Sequence, residues 1–500
     1  MTPGGGRHVR LVFPHQLFLA HLDAPPGTRF VLVEDDLLFR RYAFHAQKLV
    51  LHRASMRRFA ARLRDAGFDV DVVETSAREP SGPRLAALVE RLRPTEVTVF
   101  DVVDDWLARD TTATLADAGH RLRPPDVLET PMFLTSRAEV RDWFAGHGAR
   151  MSSFYAWQRV RLDVLVDGRR PVGGRWSFDS ENRRRLPKGY AVPAPLRPGA
   201  GKEGGRHPEV EAALAWVAEE FPDAPGDASA FAWPTAHEEA ETAYEQFLDT
   251  RFADFGPFED ALSRQHPFLF HALLTPGLNT GLLTPDRVVA RALDVAERDA
   301  VPLPSVEGFV RQVIGWREYM RATYVLWGRR MRTGNALRHT RPLADGWWDA
   351  GTGLDPVDHV VASVLRHGYA HHIERLMVLG NAMCLLRTHP DAAYEWFMEM
   401  FVDAYDWVMV PNTYAMSQFA AGTAITTKPY VSGSNYLRKM GDYGDGAWAR
   451  EWDALFWTFV RDHREVFDSN PRSRMMPRTW DGFDEEVRQG HAERAARWLT

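Results

Sequence analysis

The chain has 500 residues, 45% of them hydrophobic, and a formal net charge of −6. That length is too great for one ordinary domain and fits two or three. The acidic balance excludes a protein that simply coats nucleic acid, so any nucleic-acid surface must be a local patch. The single cysteine, Cys384, excludes an intramolecular disulfide, a four-cysteine zinc site and a four-cysteine iron–sulfur cluster.

The opening MTPGGGRHVRLVF lacks the apolar region of a secretion leader, and no run of about 18 apolar residues follows. A cytoplasmic protein without membrane contact is expected. Val9–Phe13, Phe30–Val33, Val70–Glu74 and Glu96–Asp101 read as short parallel strands. Between the second and third, Phe44–Ala66 carries Leu49, Met56, Phe59 and Leu63 at helical spacing. This alternation predicts a doubly wound α/β domain over residues 1–135. Ligands of such sheets sit at the carboxyl ends of strands, here Pro14-His15-Gln16 and Glu34-Asp35-Asp36. No GxGxxG follows the first strand, which argues against a nicotinamide-type pyrophosphate site.

Residues 136–235 are rich in Pro and Gly and read as an irregular linker; its Arg183, Arg184, Arg185 and Lys188 form one basic stretch. Residues 236–500 read as a mostly helical domain. Helical periods run through Glu307–Trp327, Asp358–Leu386, Ala392–Val408 and Trp448–Phe467. A second basic stretch joins Arg329, Arg330, Arg332, Arg338 and Arg341. Cys384 follows an apolar run and reads as a small core residue.

Four runs in this half place polar groups on otherwise apolar segments: RQVIGWREYMR (Arg311–Arg321), YAHHIERLMVLGN (Tyr369–Asn381), DAYDWVMVPNTYAMSQFA (Asp403–Ala420) and TKPYVSGSNYLRKMGDY (Thr427–Tyr443). Burying so many polar groups is costly unless each finds a partner, and a large polar cofactor would supply partners. The spacing puts Gln312, Trp316 and Tyr319 near one helical face. Adjacent His371 and His372 would point about 100° apart on a helix, so one faces a cavity while the other packs. Arg375 can share the face of His372. Thr275, opening TPGLNTGLL after His271, offers a hydroxyl at a helix start, where phosphate binds well. Lys428, Tyr430, Lys439 and Tyr443 combine phosphate contact with base stacking.

Taken in order, the four runs resemble the flavin-binding half of the photolyase and cryptochrome family, nearest its prokaryotic (6-4) branch. The resemblance covers nearly the whole chain. It implies an α/β antenna domain, a long linker and an all-helical domain that binds FAD. His271, Thr275, Arg317, Arg375, Asp403, Asp406 and Asn412 match positions around the flavin. A one-residue insertion leaves the choice between Asp403 and Asp406 as partner of Arg375 open. His371, His372, Trp316, Gln312 and Tyr430 match positions lining the lesion cavity. Trp396 and Trp348, among 17 Trp, match the electron relay. Arg183, Lys428 and Lys439 match DNA contacts. Pro14, His15, Glu34, His45 and Lys48 fall where a 6,7-dimethyl-8-ribityllumazine antenna binds, although His15 stands where the family often has Gly-Asp-Gln.

The branch carries Cys-x-x-Cys after its NYxxKMxDY segment. Here that place reads Gly444-Asp445-Gly446-Ala447, and the other cluster cysteines are also missing. No iron–sulfur cluster and no other metal is therefore expected, with Trp448 and Trp452 as packing substitutes. The implied activity is light-driven repair of UV-damaged DNA by a monomer, with the (6-4) pyrimidine–pyrimidone lesion as substrate. His372 would be the proton donor that reversal of a (6-4) adduct needs and cyclobutane splitting does not. The alternatives are a cyclobutane-dimer photolyase, a cryptochrome-like photoreceptor, and a light-independent flavoprotein that kept the fold.

Overall fold

The structure, a computed structural model, describes residues 8–201 and 205–500. The first seven residues, part of the stretch read for a leader, and residues 202–204 of the linker lie outside the described residues. Five strands form one parallel sheet: β1 (His8–Val12), β2 (Arg29–Val33), β3 (Asp69–Val73), β4 (Glu96–Phe100) and β5 (Val127–Leu128). Their order is β3-β2-β1-β4-β5. β1, β2 and β4 are mostly apolar and are buried at all but their first positions, as parallel strands covered on both faces must be. Helices α1 (Ala46–Asp65), α2 (Ser81–Leu92) and α3 (Asp105–Asp117) lie on the crossovers. The two-residue β5 is too short to leave a period in the sequence.

Strand order reverses between β1 and β4, where ligands of such sheets usually enter. Here the loops after the two strands are bonded together. A His15 ring nitrogen, Nε2, lies 3.0 Å from the Val102 carbonyl, and Gln16 donates to the Phe100 carbonyl at 2.8 Å.

Several helices of the second half are broken where the sequence periods run on. The segment expected to be one helix from Asp358 to Leu386 is α4 (Asp355–His367), a left-handed Gly368, an extended stretch, then a helix that His372 opens. Gly368 suits this position because a positive φ carries no side-chain penalty there. His371 therefore precedes the helix rather than lying within it. Similarly, α5 (Pro390–Met400) ends before α6 (Asp406–Val410), and residues 401–405 between them are not helical.

Three of the polar runs contain a wide π-helical turn, at Arg311–Arg317, Glu374–Gly380 and Pro411–Ser417. Such segments are rare and gather at functional sites. They displace side chains from the faces that an ideal helical spacing assigns.

The two halves are joined by polar contacts along α1. Lys48, fully buried, donates its ammonium to the carbonyls of Ala404 at 2.7 Å and Met398 at 3.3 Å. Burial pushes its pKa down to about 7. His45 caps α1 and also reaches the Leu365 carbonyl, while His52 meets the Tyr405 hydroxyl at 2.7 Å. One continuous apolar core runs from β1 to the last helix.

Near the C-terminal end, Tyr443, Trp448 and Trp452 form an aromatic row with ring centroids 6.2 Å apart at each step. Trp452 is wholly buried on α7 (Ala447–Asp462), and its indole donates to the Ser432 carbonyl at 2.9 Å. Cys384 is buried in the core, where its thiol pKa is pushed up to about 12. Trp452→Ala should lower stability by roughly 3–5 kcal/mol through cavity formation and a lost donor. Denaturant unfolding checks this, and a midpoint equal to wild type would contradict it.

Candidate functional site

At the centre of the helical half, Arg375 grips Asp403 through two hydrogen bonds, 2.9 Å to Oδ1 and 3.0 Å to Oδ2. The planar guanidinium matches the carboxylate edge to edge, the strong form of such a pair. Arg375 also donates to the Ala370 carbonyl and lies over the rings of Phe401 and Tyr369. Thr275 donates its hydroxyl to Asp403 at 2.5 Å, and Asn279 donates to the Asp403 carbonyl at 2.9 Å. Asp403 thus draws together the TPGLNT helix (Thr275–Thr280), the π-helical turn after His372 and the irregular stretch before α6.

Asp406 has other partners. It accepts from the hydroxyls of Tyr324 and Tyr394 and from Arg332. The open choice between the two aspartates therefore falls on Asp403 as partner of Arg375. Arg317 is buried behind this assembly. It donates to the Met132 carbonyl at 2.8 Å and to Asn279 at 3.0 Å, between the rings of Phe133 and Trp407. Burial lowers its pKa to about 10. Asn412 sits half-buried in its π-helical turn and donates to the Val408 carbonyl.

Beside the ion pair lie three histidines. His271 and His371 stack with centroids 4.6 Å apart and planes only 12° from parallel. Both are buried, and both ring nitrogens of His371 and Nε2 of His271 lack a hydrogen-bond partner. Ring nitrogens of His271, His371 and His372 come within 4.8 Å of one another. A shared metal ion would need convergent lone pairs in the ring planes, which two near-parallel stacked rings do not provide.

The three differ in charge. Burial, together with neighbouring positive charge, holds His271 and His371 well below the ordinary histidine pKa. His372 is opposed by burial too, but the hydrogen bond and charge of Asp260 and the charge of Glu259 outweigh it and raise its pKa. Its Nε2 lies 3.2 Å from Asp260 Oδ1 and its side chain is 43% exposed. Glu374, next to His371, is pushed up to about 8 by burial. His371 therefore packs and His372 faces outward, although the two do not share a helix.

Gln312 donates to Glu259, and Trp316 on the same π-helical turn is half-buried and edge-on to Tyr319. Glu259 is buried and also accepts from Asn182 at 2.5 Å and Arg311 at 3.2 Å. Gly308 permits this approach: a Cβ there would meet Asn182 Nδ2 at 2.5 Å and Glu259 Oε2 at 3.1 Å. Arg183 is exposed and paired with Asp179 and, at 3.8 Å, with Asp260. Tyr430 is half-buried, Lys428 partly so, and Lys439 exposed.

Asn279, Glu259, Asp260 and Trp347 were not singled out in the sequence. Asp260 bonds His372 from 112 residues away in the chain, Glu259 adds its charge beside it, and neither had a local pattern to mark it. Trp396 is buried and packs edge-on against Trp347 with centroids 5.5 Å apart, donating its N–H to that residue's carbonyl. Trp348 is at the surface, 39% exposed. Of the sheet-side residues, Pro14 is buried, and His15 Nδ1 and Glu34 Oε1 are buried without a partner. The other Glu34 oxygen holds Arg53 at 2.7 Å.

A family model for deoxyribodipyrimidine photo-lyase-related proteins matches residues 10–233. A (6-4) photolyase of Agrobacterium fabrum is 34% identical over 476 residues, covering 91% of each chain. Among solved structures, a class III photolyase of Agrobacterium tumefaciens aligns with TM-score 0.59 at 16% identity, over 100% of this chain and 98% of that one. A Synechocystis cryptochrome aligns with TM-score 0.56 at 12% identity, over 98% and 95%. The two alignments run over nearly the whole of each chain, so the overall fold is shared. By the extent and identity of the first match, the chain belongs to the photolyase and cryptochrome family.

Asp403→Asn should destabilise the fold by roughly 2–4 kcal/mol, since it leaves the part-buried Arg375 without its counter-charge. Arg183→Ala, at an exposed pair, should stay within about 0.5 kcal/mol of wild type. Parallel denaturant titrations check the contrast.

Proposed function

We propose that this protein is a light-driven DNA repair enzyme that binds FAD and reverses (6-4) pyrimidine–pyrimidone photoproducts. The observation that carries the reading is His372, an outward-facing imidazole favoured in its charged form beside the buried Arg375–Asp403 pair. The 34% identical relative named a (6-4) photolyase supports the same substrate.

A flavin fits this site by the chemistry of its donors and acceptors. His271 and His371 bury ring nitrogens without partners, and such groups are normally satisfied. Thr275, Asn279, Arg375, Asp403 and Asn412 would hold the cofactor's polar atoms, with His271 and His371 against it. Bound FAD supplies the electron on illumination. Arg375 and Asp403 neutralise one another, so they orient the site without adding net charge. A flipped-out lesion would meet Gln312, Trp316 and Tyr430 at the opening. As an imidazolium, His372 gives its Nε2–H to Asp260 and keeps Nδ1–H to donate. Transfer of the hydroxyl in a (6-4) adduct needs such a proton, whereas splitting a cyclobutane dimer does not. Lys428, Lys439 and Arg183 would meet the phosphate backbone, in a local patch on an acidic protein. The cysteine count leaves no ligand set for a four-thiolate cluster, and the row Tyr443, Trp448, Trp452 would pack in its place. His15, Glu34, His45 and Lys48 would border an antenna, although His45 and Lys48 are committed to the helical half.

The deciding experiment is illumination of the purified flavoprotein with each lesion in duplex DNA. Repair of the (6-4) adduct is expected. Repair of cyclobutane dimers alone would move the protein to that class, and repair of neither would favour a photoreceptor. His372→Ala should abolish (6-4) repair while flavin content stays at wild-type level. Because the His372 pKa is raised, its proton is held below that value and lost above it, so wild-type repair should fall as pH rises through it. A pH-independent rate, or full repair by His372→Ala, would remove this residue from the mechanism.

Trp396→Phe should slow light-driven reduction of the flavin severalfold without changing flavin content, since phenylalanine packs alike but resists oxidation. Trp348→Phe should do the same if the relay ends at the surface. Trp347→Phe separates a route through the ring beside Trp396 from one that bypasses it. Transient absorption after a light flash reads all three, and unchanged kinetics throughout would place the relay elsewhere.

A further inference from the structure

We propose that Asp260 is a positioning residue that selects His372, out of three adjacent imidazoles, as the one proton carrier and, by holding Nε2, leaves Nδ1–H as the proton to donate. The inference rests on the reading of His372 as proton donor, but it can be tested apart from it. Asp260 follows the helix Phe252–Phe258, on the opposite side of the site from the helix that His372 opens. Its Oδ1 lies 3.2 Å from His372 Nε2, and among the described residues no other side chain hydrogen-bonds that ring. With Nε2 engaged, the remaining ring proton can sit only on Nδ1. The backbone N–H of Asp260 donates to the Asn182 carbonyl at 3.3 Å, which ties the residue to the linker.

Of the charged groups around the ring, Asp260 and Glu259 favour its cation and Arg311 opposes it. Asp260 and, behind it, buried Glu259 present negative charge to His372. The charge of Glu259 is offset in part by Arg311 at 3.2 Å and Asn182 at 2.5 Å, and its carboxyl is itself disfavoured as an anion by burial. That leaves Asp260 as the main counter-ion. His271 and His371 have no carboxylate in direct contact except Glu374, 3.5 Å from His371, which burial keeps from ionising. A proton on either would lie within about a ring's breadth of the His372 cation, so one charge excludes the others. Arg183 pairs weakly with the far oxygen of Asp260, at 3.8 Å, from an exposed position in the linker.

The test uses full-length, flavin-loaded protein with histidines labelled at ring carbon Cε1, titrated by NMR in the dark. His372→Gln assigns the resonance. Wild-type His372 should titrate above the free-histidine value. Asp260→Asn, which keeps size and hydrogen-bond reach but removes charge, should lower that midpoint by about 1–3 pH units. Asp260→Glu should restore most of it. Flavin absorbance and thermal midpoint should stay near wild type in both, since Asp260 is part-exposed and touches no residue of the Arg375–Asp403 assembly. The proposal is overturned if wild-type His372 titrates at or below the free-histidine value, a result that needs no variant to fold. It is equally overturned if Asp260→Asn leaves the midpoint unmoved. In the repair assay, the falling limb of the pH profile should move with the NMR midpoint while lesion affinity is unchanged. An NMR shift without a shift of that limb leaves Asp260 in its role and rejects His372 as the donor.

Discussion

The ion pair between Arg375 and Asp403 is the constraint on which the rest of the helical half depends. Neither charge is tolerable alone at that depth, and removing one strands the other. The solution brings three segments together that have no reason to meet otherwise. Thr275 and Asn279 contribute from one short helix, Arg375 from a π-helical turn, and Asp403 from the irregular stretch between two helices. The break in the helix before Asp406 follows from the same demand. A continuous helix through residues 401–405 would satisfy the Asp403 backbone internally and leave its carbonyl unavailable to Asn279.

Around that fixed point the site separates functions by environment rather than by residue type. Three histidines share a space a few ångströms wide. Burial and neighbouring positive charge disfavour the cation on two of them, and the Asp260 carboxylate favours it on the third. The carboxylates divide likewise. Asp403 is matched by a bidentate arginine, Glu374 is buried beside a neutral ring and prefers its proton, and Glu259 is shared among three donors. Identical side chains serve as packing, orientation and proton inventory according to what stands beside them.

Much of this was legible in the chain, and the misses have physical causes. The parallel sheet followed from apolar runs of strand length alternating with a helical period, and the observed strands lie within a residue or so of those runs. The pairing of Arg375 with a carboxylate was legible from the run YAHHIERLM together with DAYDW. Which aspartate it was could not be read, because the answer depends on where the helix breaks. The expectation that His371 and His372 share a helix failed at Gly368, whose left-handed backbone ends α4. The π-helical turns were invisible because a single extra residue per turn leaves the apolar pattern almost intact. Glu259 and Asp260 were missed for another reason: their importance lies wholly in what they touch across the fold.

The clasp formed by α1 has a bearing on how the molecule can respond to light. Lys48 holds the carbonyl of Ala404, the residue next to Asp403, and His52 holds Tyr405 one position further on. The sheet therefore grips the backbone at the very stretch that supplies the buried carboxylate. That grip and a shared core work against any swing of one half relative to the other. Such a frame suits chemistry carried by displacement of charge and hydrogen better than one lobe swinging against the other. A ligand on the sheet side would then keep a fixed distance and angle to the helical site, the geometric condition for handing over excitation energy without mechanical motion.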